Sequence, residues 1–301
     1  MLKHAAMTFR NCLVLIASLL SSAAAEPAPG VQVQSQSAAQ YQGEVVDAAG
    51  TNIAVMVSQP NVRRTGLYVQ NRAPLIPAPF MKLPIGAIKP QGWLLHQLEL
   101  EAEGMTGKLG ELSPWLDFSK SSWAAADGSG QFGWEEMPYW LKGYGDLAYV
   151  LKNEQMIAEA RKWIEAILKT QRSDGYYGPR MLLTSLQGKP DLWPHMLVNN
   201  ILQSWFEFSQ DNRVIPFLLK YHQWLSKMPE STFSNGYWPR IRFGDNIETC
   251  YWLYNRTGER FLLDLAVRIH KNMAAWRDGI INWHNVNLAQ GFREPGVFFT
   301  Q

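Results

Sequence analysis

The sequence predicts an all-α fold: an incomplete (α/α) toroid built of helical hairpins, behind an irregular N-terminal segment. Three observations lead there. Apolar residues recur with helical period from Trp93 onward. The helices come in pairs, with turns near Asn153, Asp211 and Gly258, and a spacing of about 50 residues marks a helical-hairpin array. The stretches after each second helix are long and rich in Trp, Tyr, Asp, His and Asn. All of them precede the first helix of the next pair, so they gather at one end. A ring of such loops makes one deep site, whereas a solenoid would spread them along a ridge.

The elements follow in order. Lys3 and Arg10 precede or open the apolar run "CLVLIASLL", and "SSAAA" supplies the small residues before Glu26. Residues 1–25 therefore read as a cleavable signal peptide, and the protein as exported, periplasmic or extracellular. No later stretch approaches about 18 continuous apolar residues, so no membrane span is expected. Residues 26–75 are polar and read as a flexible leader, with one possible short strand in "TNIAVMVSQP". Five prolines and two glycines between Ala73 and Leu94 force an extended, turn-rich path. Trp93–Met105 reads as a helix ended by Gly104 and Gly107, and residues 106–133 as a long irregular loop carrying Trp115 and Trp123. Three hairpins come next: "MPYWLKGYGDLAYVLKN" with "EQMIAEARKWIEAILKTQ", "MLVNNILQSWFEFSQ" with "NRVIPFLLKYHQWLSKM", and "NIETCYWLYNRTG" with "ERFLLDLAVRIHKNMAAW". A last helix, "AQGFREPGVFFTQ", ends apolar. With fewer hairpins than a closed toroid needs, residues 76–301 are expected to be the N-terminal part of a larger barrel domain.

Charge excludes some partners. There are 28 Lys+Arg against 26 Asp+Glu, and the two sets balance once Lys3 and Arg10 leave with the signal. No electrostatic nucleic-acid binder is expected. Cys12 leaves with the signal too, so Cys250 has no partner and no disulfide framework forms. The chain holds 13 Trp, 11 Tyr and 13 Phe; such π faces suit the C–H surface of a sugar ring, and equally suit helical cores.

The candidate residues lie in the loop-end set. "FGWEEMPYW" places Trp134, Glu135 and Glu136 at a helix start. Adjacent helical positions point about 100° apart, so only one of the two carboxylates can face a substrate. "DLWPHM" puts Trp193 and His195 at the next helix start, "RFGDNIE" puts Asp245 and Asn246 at the one after, and "WHNVNLAQ" supplies His284, Asn285, Asn287 and Gln290. Asp245 also reads as a plain N-cap. "DGYYGP" is a turn whose Tyr176 and Tyr177 either line a cleft or pack the core. Glu248 and Cys250 are two residues apart and face different ways, so Cys250 reads as a buried structural thiol and the metal set is none. The sequon Asn255-Arg256-Thr257 sits in a helix end.

Together "LPIGAIKPQGWL", "WEEMPYWLKG", "DGYYGP", "DLWPHM", "GDNIE…YWLYNRTG" and "HNVNLAQGFREPGVFF" resemble the β-L-arabinofuranosidases of glycoside hydrolase family 127. The resemblance covers residues 75–301. It implies an α/α barrel followed by β-sandwich domains, and a retaining exo-acting hydrolase acting on plant-type glycans. It also implies a zinc-held cysteine nucleophile and a glutamate acid/base, carried by Gly-Asp-Glu, Glu-x-Cys and Cys-Cys stretches that lie after "HNVNLAQG" in the family. No such stretch follows here, so neither catalytic residues nor zinc are assigned to this chain, which is expected to be a fragment of such an enzyme. The sugar-contact set does carry over: His195 in the "WPH" position and His284 as a contact histidine. Asp245 stands where arabinofuranosidases of the family have histidine, a departure that bears on sugar choice. Two other readings remain: a non-catalytic sugar-binding module, and another toroid enzyme such as a polysaccharide lyase or unsaturated-glycoside hydrolase with Glu135 or Asp174 as its acid.

Overall fold

The computed structural model describes residues 42–46, 52–56 and 67–301. Residues 1–25, read from the sequence as a signal peptide, lie outside the described residues. The chain divides into two compact units, Met1–Asn61 and Val62–Gln301. In the first, β1 (Gln42–Val46) and β2 (Asn52–Met56) pair antiparallel, with Val45 opposite Ile53. β2 falls in the stretch read as a possible strand.

The second unit is all-α and built of helical hairpins, as the sequence predicts. Its first helices are α1 (Gly92–Glu103) and α2 (Met105–Leu112). The expected long loop at 106–133 is corrected here. Gly104 does end α1, but Gly107 lies inside α2, and a β-carbon on Gly107 would sit 1.7 Å from the Ala102 carbonyl oxygen. The glycine permits the close fold-back of α2 on α1 rather than terminating a helix. Two 3₁₀ turns, Pro114–Leu116 and Phe118–Lys120, tighten the rest.

Three hairpins form the body. They are α3 (Glu136–Leu151) with α4 (Glu154–Lys169), α5 (Trp193–Ser209) with α6 (Val214–Ser226), and α8 (Gly244–Thr257) with α9 (Phe261–Asn272). In α4 the stripe Met156, Ile157, Ala160, Trp163, Ile164, Ile167 is buried, the spacing of one helix face. All three first helices end on a left-handed residue: Lys152 at φ 54°, Gln210 at φ 56° and Gly258 at φ 80°. That conformation turns the chain back and gives the last helical carbonyls a partner. At the α3–α4 turn Asn153 then caps α4, accepting from the Met156 N–H at 3.1 Å. The first helices α3, α5 and α8 pack side by side, and α6 packs against α9 behind them.

Two further expectations are corrected. The stretch "PESTFSNGYWPRIRFGD", read as loop, contains α7 (Tyr237–Arg242), which bends at Phe243 directly into α8. The last helix is broken into α10 (Asn285–Gly291) and α11 (Glu294–Phe298), with Pro295 in the first turn of the second piece. No helix among the described residues is long and apolar enough to cross a membrane.

Candidate functional site

The starts of α3, α5 and α10 and the end of α7 meet in one polar-aromatic cluster. Glu135 precedes α3 without capping it; its carboxylate instead accepts from the indole N–H of Trp193, the first residue of α5. Arg242, at the end of α7, reaches the same carboxylate at 3.5 Å. Its guanidinium lies over two tryptophan rings, 4.2 Å from the Trp193 ring centre and 4.7 Å from that of Trp238. Its Nε donates to the Asn287 side-chain oxygen at 2.8 Å, and the Asn287 amide donates to Asn282 at 2.9 Å. Trp238 meets His284 at 5.3 Å, edge to face. Behind Trp193, Asp191 accepts from its backbone N–H at 3.1 Å and from the Trp134 indole at 3.0 Å. Tyr139, with Gln290 beside its hydroxyl, packs on Trp193 at 6.0 Å.

The electrostatics are those of a partly dry site. Burial lowers the Arg242 pKa, against the opposing pull of Tyr139, Glu135 and Asp245. Burial raises the Asp191 carboxyl, although the Trp193 and Trp134 N–H groups favour its charged form. Nη1 of Arg242 is buried without a hydrogen-bond partner, its nearest carboxylate oxygen being the 3.5 Å contact with Glu135. A guanidinium lying over two tryptophan rings, with a donor left over, is suited to binding a hydroxyl-rich ligand next to a carboxylate acceptor.

Of the nine residues expected to bind sugar, Trp134, Glu135, Trp193, Asn287, Gln290 and His284 belong to this cluster or border it. Three are placed differently. His195 is fully buried, boxed by Trp123, Tyr176, Tyr177 and Tyr221, stacked on Tyr221 at 5.3 Å and bound through Nε2 to the Tyr177 carbonyl at 2.8 Å. It lies two residues after Trp193, on the side of α5 turned into the core. Asn246 is buried in the helix wall, accepting from Asn199 at 3.2 Å. Asp245 is not an N-cap: Phe243 holds the cap position of α8, and the Asp245 carboxylate accepts from Arg293 at 2.5 Å. Burial raises its pKa, opposed by Arg293. Arg293 also meets Glu248 at 2.6 Å, so Asp245 is committed to the link between α8 and the end of α10.

Sequence reasoning missed Arg242 and Trp238. Their i, i+4 spacing was a usable signal, but it needs α7, and Gly236 and Pro239 made that stretch read as loop. Asp174 serves its own turn, accepting from the Tyr176 N–H at 3.1 Å and pairing with Arg172 at 2.8 Å. Tyr176 and Tyr177 are core residues. Asn255 of the sequon is tied to Arg72 and Asn71 at 2.9 and 2.8 Å.

The zinc and cysteine nucleophile implied by the resemblance do not fit the residues described. The Cys250 thiol is fully buried and burial pushes its pKa up, while Glu248 is held by Arg293. No group of three or more His, Cys, Asp or Glu suited to a metal ion occurs among the described residues. A cavity of about 510 Å³ lies against α8 and α11; in its lining Lys82 pairs with Glu207 and Arg293 with Glu248, while Arg256 lies over Trp252 with its buried Nε unpartnered. The Arg242 cluster, not this cavity, gathers the residues expected to bind sugar.

A search of the curated proteins finds no match to the chain. A family model does: the β-L-arabinofuranosidase, GH127 catalytic domain, over residues 82–298. That span takes in α1 through α11 and every residue of the Arg242 cluster, so the chain belongs to the catalytic-domain family of the glycoside hydrolase family 127 β-L-arabinofuranosidases.

Proposed function

We propose that the Arg242 cluster is the glycosyl-binding wall of an arabinofuranosidase-type hydrolase, and that its ligand is a terminal β-L-arabinofuranosyl unit of a plant-type glycan. The observation that carries this reading is the Arg242 guanidinium, lying over the Trp193 and Trp238 rings beside Glu135, with one donor unpaired. Furanose hydroxyls are matched by the Glu135 and Asn287 oxygens as acceptors and by Arg242 as donor. Stacking of the sugar on these rings is not part of the reading, because Trp193 is fully buried and Trp238 already meets Arg242 and His284. The role assigned to these residues is binding and orientation. In the same proposal, the nucleophile and acid/base come from sequence outside residues 82–298, and this chain supplies the sugar-binding part of the domain. Export with cleavage before Glu26 also belongs to it, supported by the Lys3/Arg10 n-region and the apolar run that ends in "SSAAA".

Calorimetry and a release assay test the reading together. The chain should bind methyl β-L-arabinofuranoside at around millimolar Kd, since few contacts offset the cost of association. It should release no sugar from an aryl β-L-arabinofuranoside. Equal binding of methyl β-D-glucopyranoside would remove the sugar assignment. Turnover that disappears in Glu135→Gln would instead make Glu135 the acid of a different toroid enzyme.

A further inference from the structure

We propose that the cavity against α8 and α11 is a binding site for a small carboxylic acid with an apolar body, its carboxylate held by Arg256. The proposal does not depend on the sugar reading. Arg242 stands just before α8 and Arg256 in its last turn, and the 14 residues of α8 rise about 21 Å between them.

Five charged side chains line the cavity: Lys82, Glu207, Glu248, Arg256 and Arg293. Four are committed to one another or to a neighbour. Lys82 meets Glu207 at 3.0 Å, and Arg293 meets Glu248 at 2.6 Å and, outside the lining, Asp245 at 2.5 Å. Arg256 has no ion-pair partner among the described residues. Its guanidinium lies 3.9 Å from the Trp252 ring centre, and Nη1 donates to the Trp252 carbonyl at 3.1 Å. That bond suits a cation in the last turn of a helix. It leaves the other edge, Nε with Nη2, without a partner among the described residues, and Nε is buried. Burial lowers the Arg256 pKa to about 10, opposed by Glu207, so the group is charged at neutral pH. A buried charged donor without an acceptor costs free energy until something supplies one. The Nε and Nη2 donors form the fork that a carboxylate meets with two parallel hydrogen bonds.

The remaining lining sets the body of the ligand. Leu67, Val69, Ala78, Met81 and Val297 are apolar, and Phe80 is exposed. An inorganic anion would leave this wall in water, whereas an acid with an apolar body covers it. Gln70 Oε1, in the same lining, is buried without a partner among the described residues, and accepts from a hydroxyl on that body. The volume of about 510 Å³ falls within the roughly 300–1,000 Å³ of small-molecule sites.

Calorimetry titrates the full chain with para-hydroxybenzoate and with its neutral counterpart, para-hydroxybenzyl alcohol. Three variants accompany wild type. Arg256→Met removes the fork, Gly296→Trp fills the cavity, and Arg242→Met tests the other end of α8. Gly296 is exposed and lines the cavity, and a β-carbon there meets nothing within 4 Å, so Gly296→Trp should melt within a few degrees of wild type. Wild type should bind the acid at about millimolar Kd or tighter, and the alcohol about tenfold more weakly. Arg256→Met should bring the acid to the level of the alcohol. Gly296→Trp should abolish binding of both probes, and Arg242→Met should change neither. Should Arg256→Met fail to fold, the probe pair and Gly296→Trp decide. Equal affinity of wild type for the two probes overturns the proposal, as does acid binding that survives Gly296→Trp. Loss of acid binding in Arg242→Met but not in Arg256→Met would place the anion at the other end of α8 and overturn it too. Wild type that fails to bind the acid well above millimolar concentration removes the site.

Discussion

Replacing Arg242 with methionine tests the cluster as a piece of folded architecture, independent of any ligand. The side chain is 3% exposed, and four groups depend on it: Trp193, Trp238, Asn287 and Glu135. Methionine fills much of the volume but donates nothing. A hydrogen bond from a charged donor contributes about 1.5–3 kcal/mol, and each desolvated cation–π contact about 0.5–2 kcal/mol. Relief of burying the guanidinium offsets part of this, since buried charges are themselves expensive. The Glu135 contact adds little, being long at 3.5 Å and 25% exposed on the carboxylate side. A net loss of about 3 kcal/mol follows. In a domain of this size about 3 kcal/mol lowers Tm by roughly 6–12 °C. Arg242→Lys should recover little of it, because an ammonium cannot stack flat on the rings or keep the forked geometry. Differential scanning calorimetry at neutral pH measures all three proteins. A methionine variant as stable as wild type would mean that burial cost and interaction cancel, and the cluster would not be held together through Arg242. A lysine variant matching wild type would refute the stacking argument.

Other predictions concern the core and the turns. His195 and His222 are fully buried, and burial lowers both to about 4. In the unfolded chain they titrate near the ordinary value of about 6.5, so between pH 6.5 and 5 the unfolded state takes up protons that the fold refuses. Stability should therefore fall with pH across that window by about 2 kcal/mol per histidine. Urea titrations at the two pH values measure the drop, and His195→Phe should remove about half of it. Gly178→Ala should destabilise by several kcal/mol, about 3 or more, because φ is 81° and a β-carbon would lie 2.4 Å from the Trp123 ring. Lys152→Gly should stabilise by about 0.5–1 kcal/mol, since lysine holds a left-handed φ of 54° that glycine adopts freely; an unchanged Tm would contradict this. Cys250 should resist a thiol reagent until the protein unfolds, and metal analysis should give the same zinc content for wild type and Cys250→Ser. Rapid labelling of the native protein would show that α8 opens.

The hairpins were legible because their signals are local. Helical periodicity, an Asn, Asp or Gly at each turn, and loops placed on one side of the pattern all sit within short windows of sequence. The first turn of each site helix was legible for the same reason, which is how Glu135, Trp193, Asn287 and His284 came to be named. What could not be read is which way a side chain at a helix start turns. Trp193 and His195 are two residues apart on α5, so one meets Glu135 while the other is sealed among Trp123, Tyr176, Tyr177 and Tyr221. Asp245 reads as a cap until Arg293, 48 positions later, is brought against it. Short helices carrying Gly or Pro were the other blind spot. In α2 and α7 these residues serve close packing and a first turn, and neither purpose shows in propensity.

The central claim is that a sugar enters between the starts of α3, α5 and α10, against the end of α7. The most direct measurement follows the tryptophan indole N–H signals by two-dimensional NMR while methyl β-L-arabinofuranoside is added. Trp193 donates to Glu135, and Trp238 lies on Arg242, whereas Trp163 donates to Glu159 and Trp205 to Asp211, away from the cluster. The account predicts that the Trp193 and Trp238 signals move and saturate together, with one midpoint, while those of Trp163 and Trp205 stay fixed. Movement confined to Trp252, which lines the cavity against α8 and α11, would place the ligand elsewhere and contradict it.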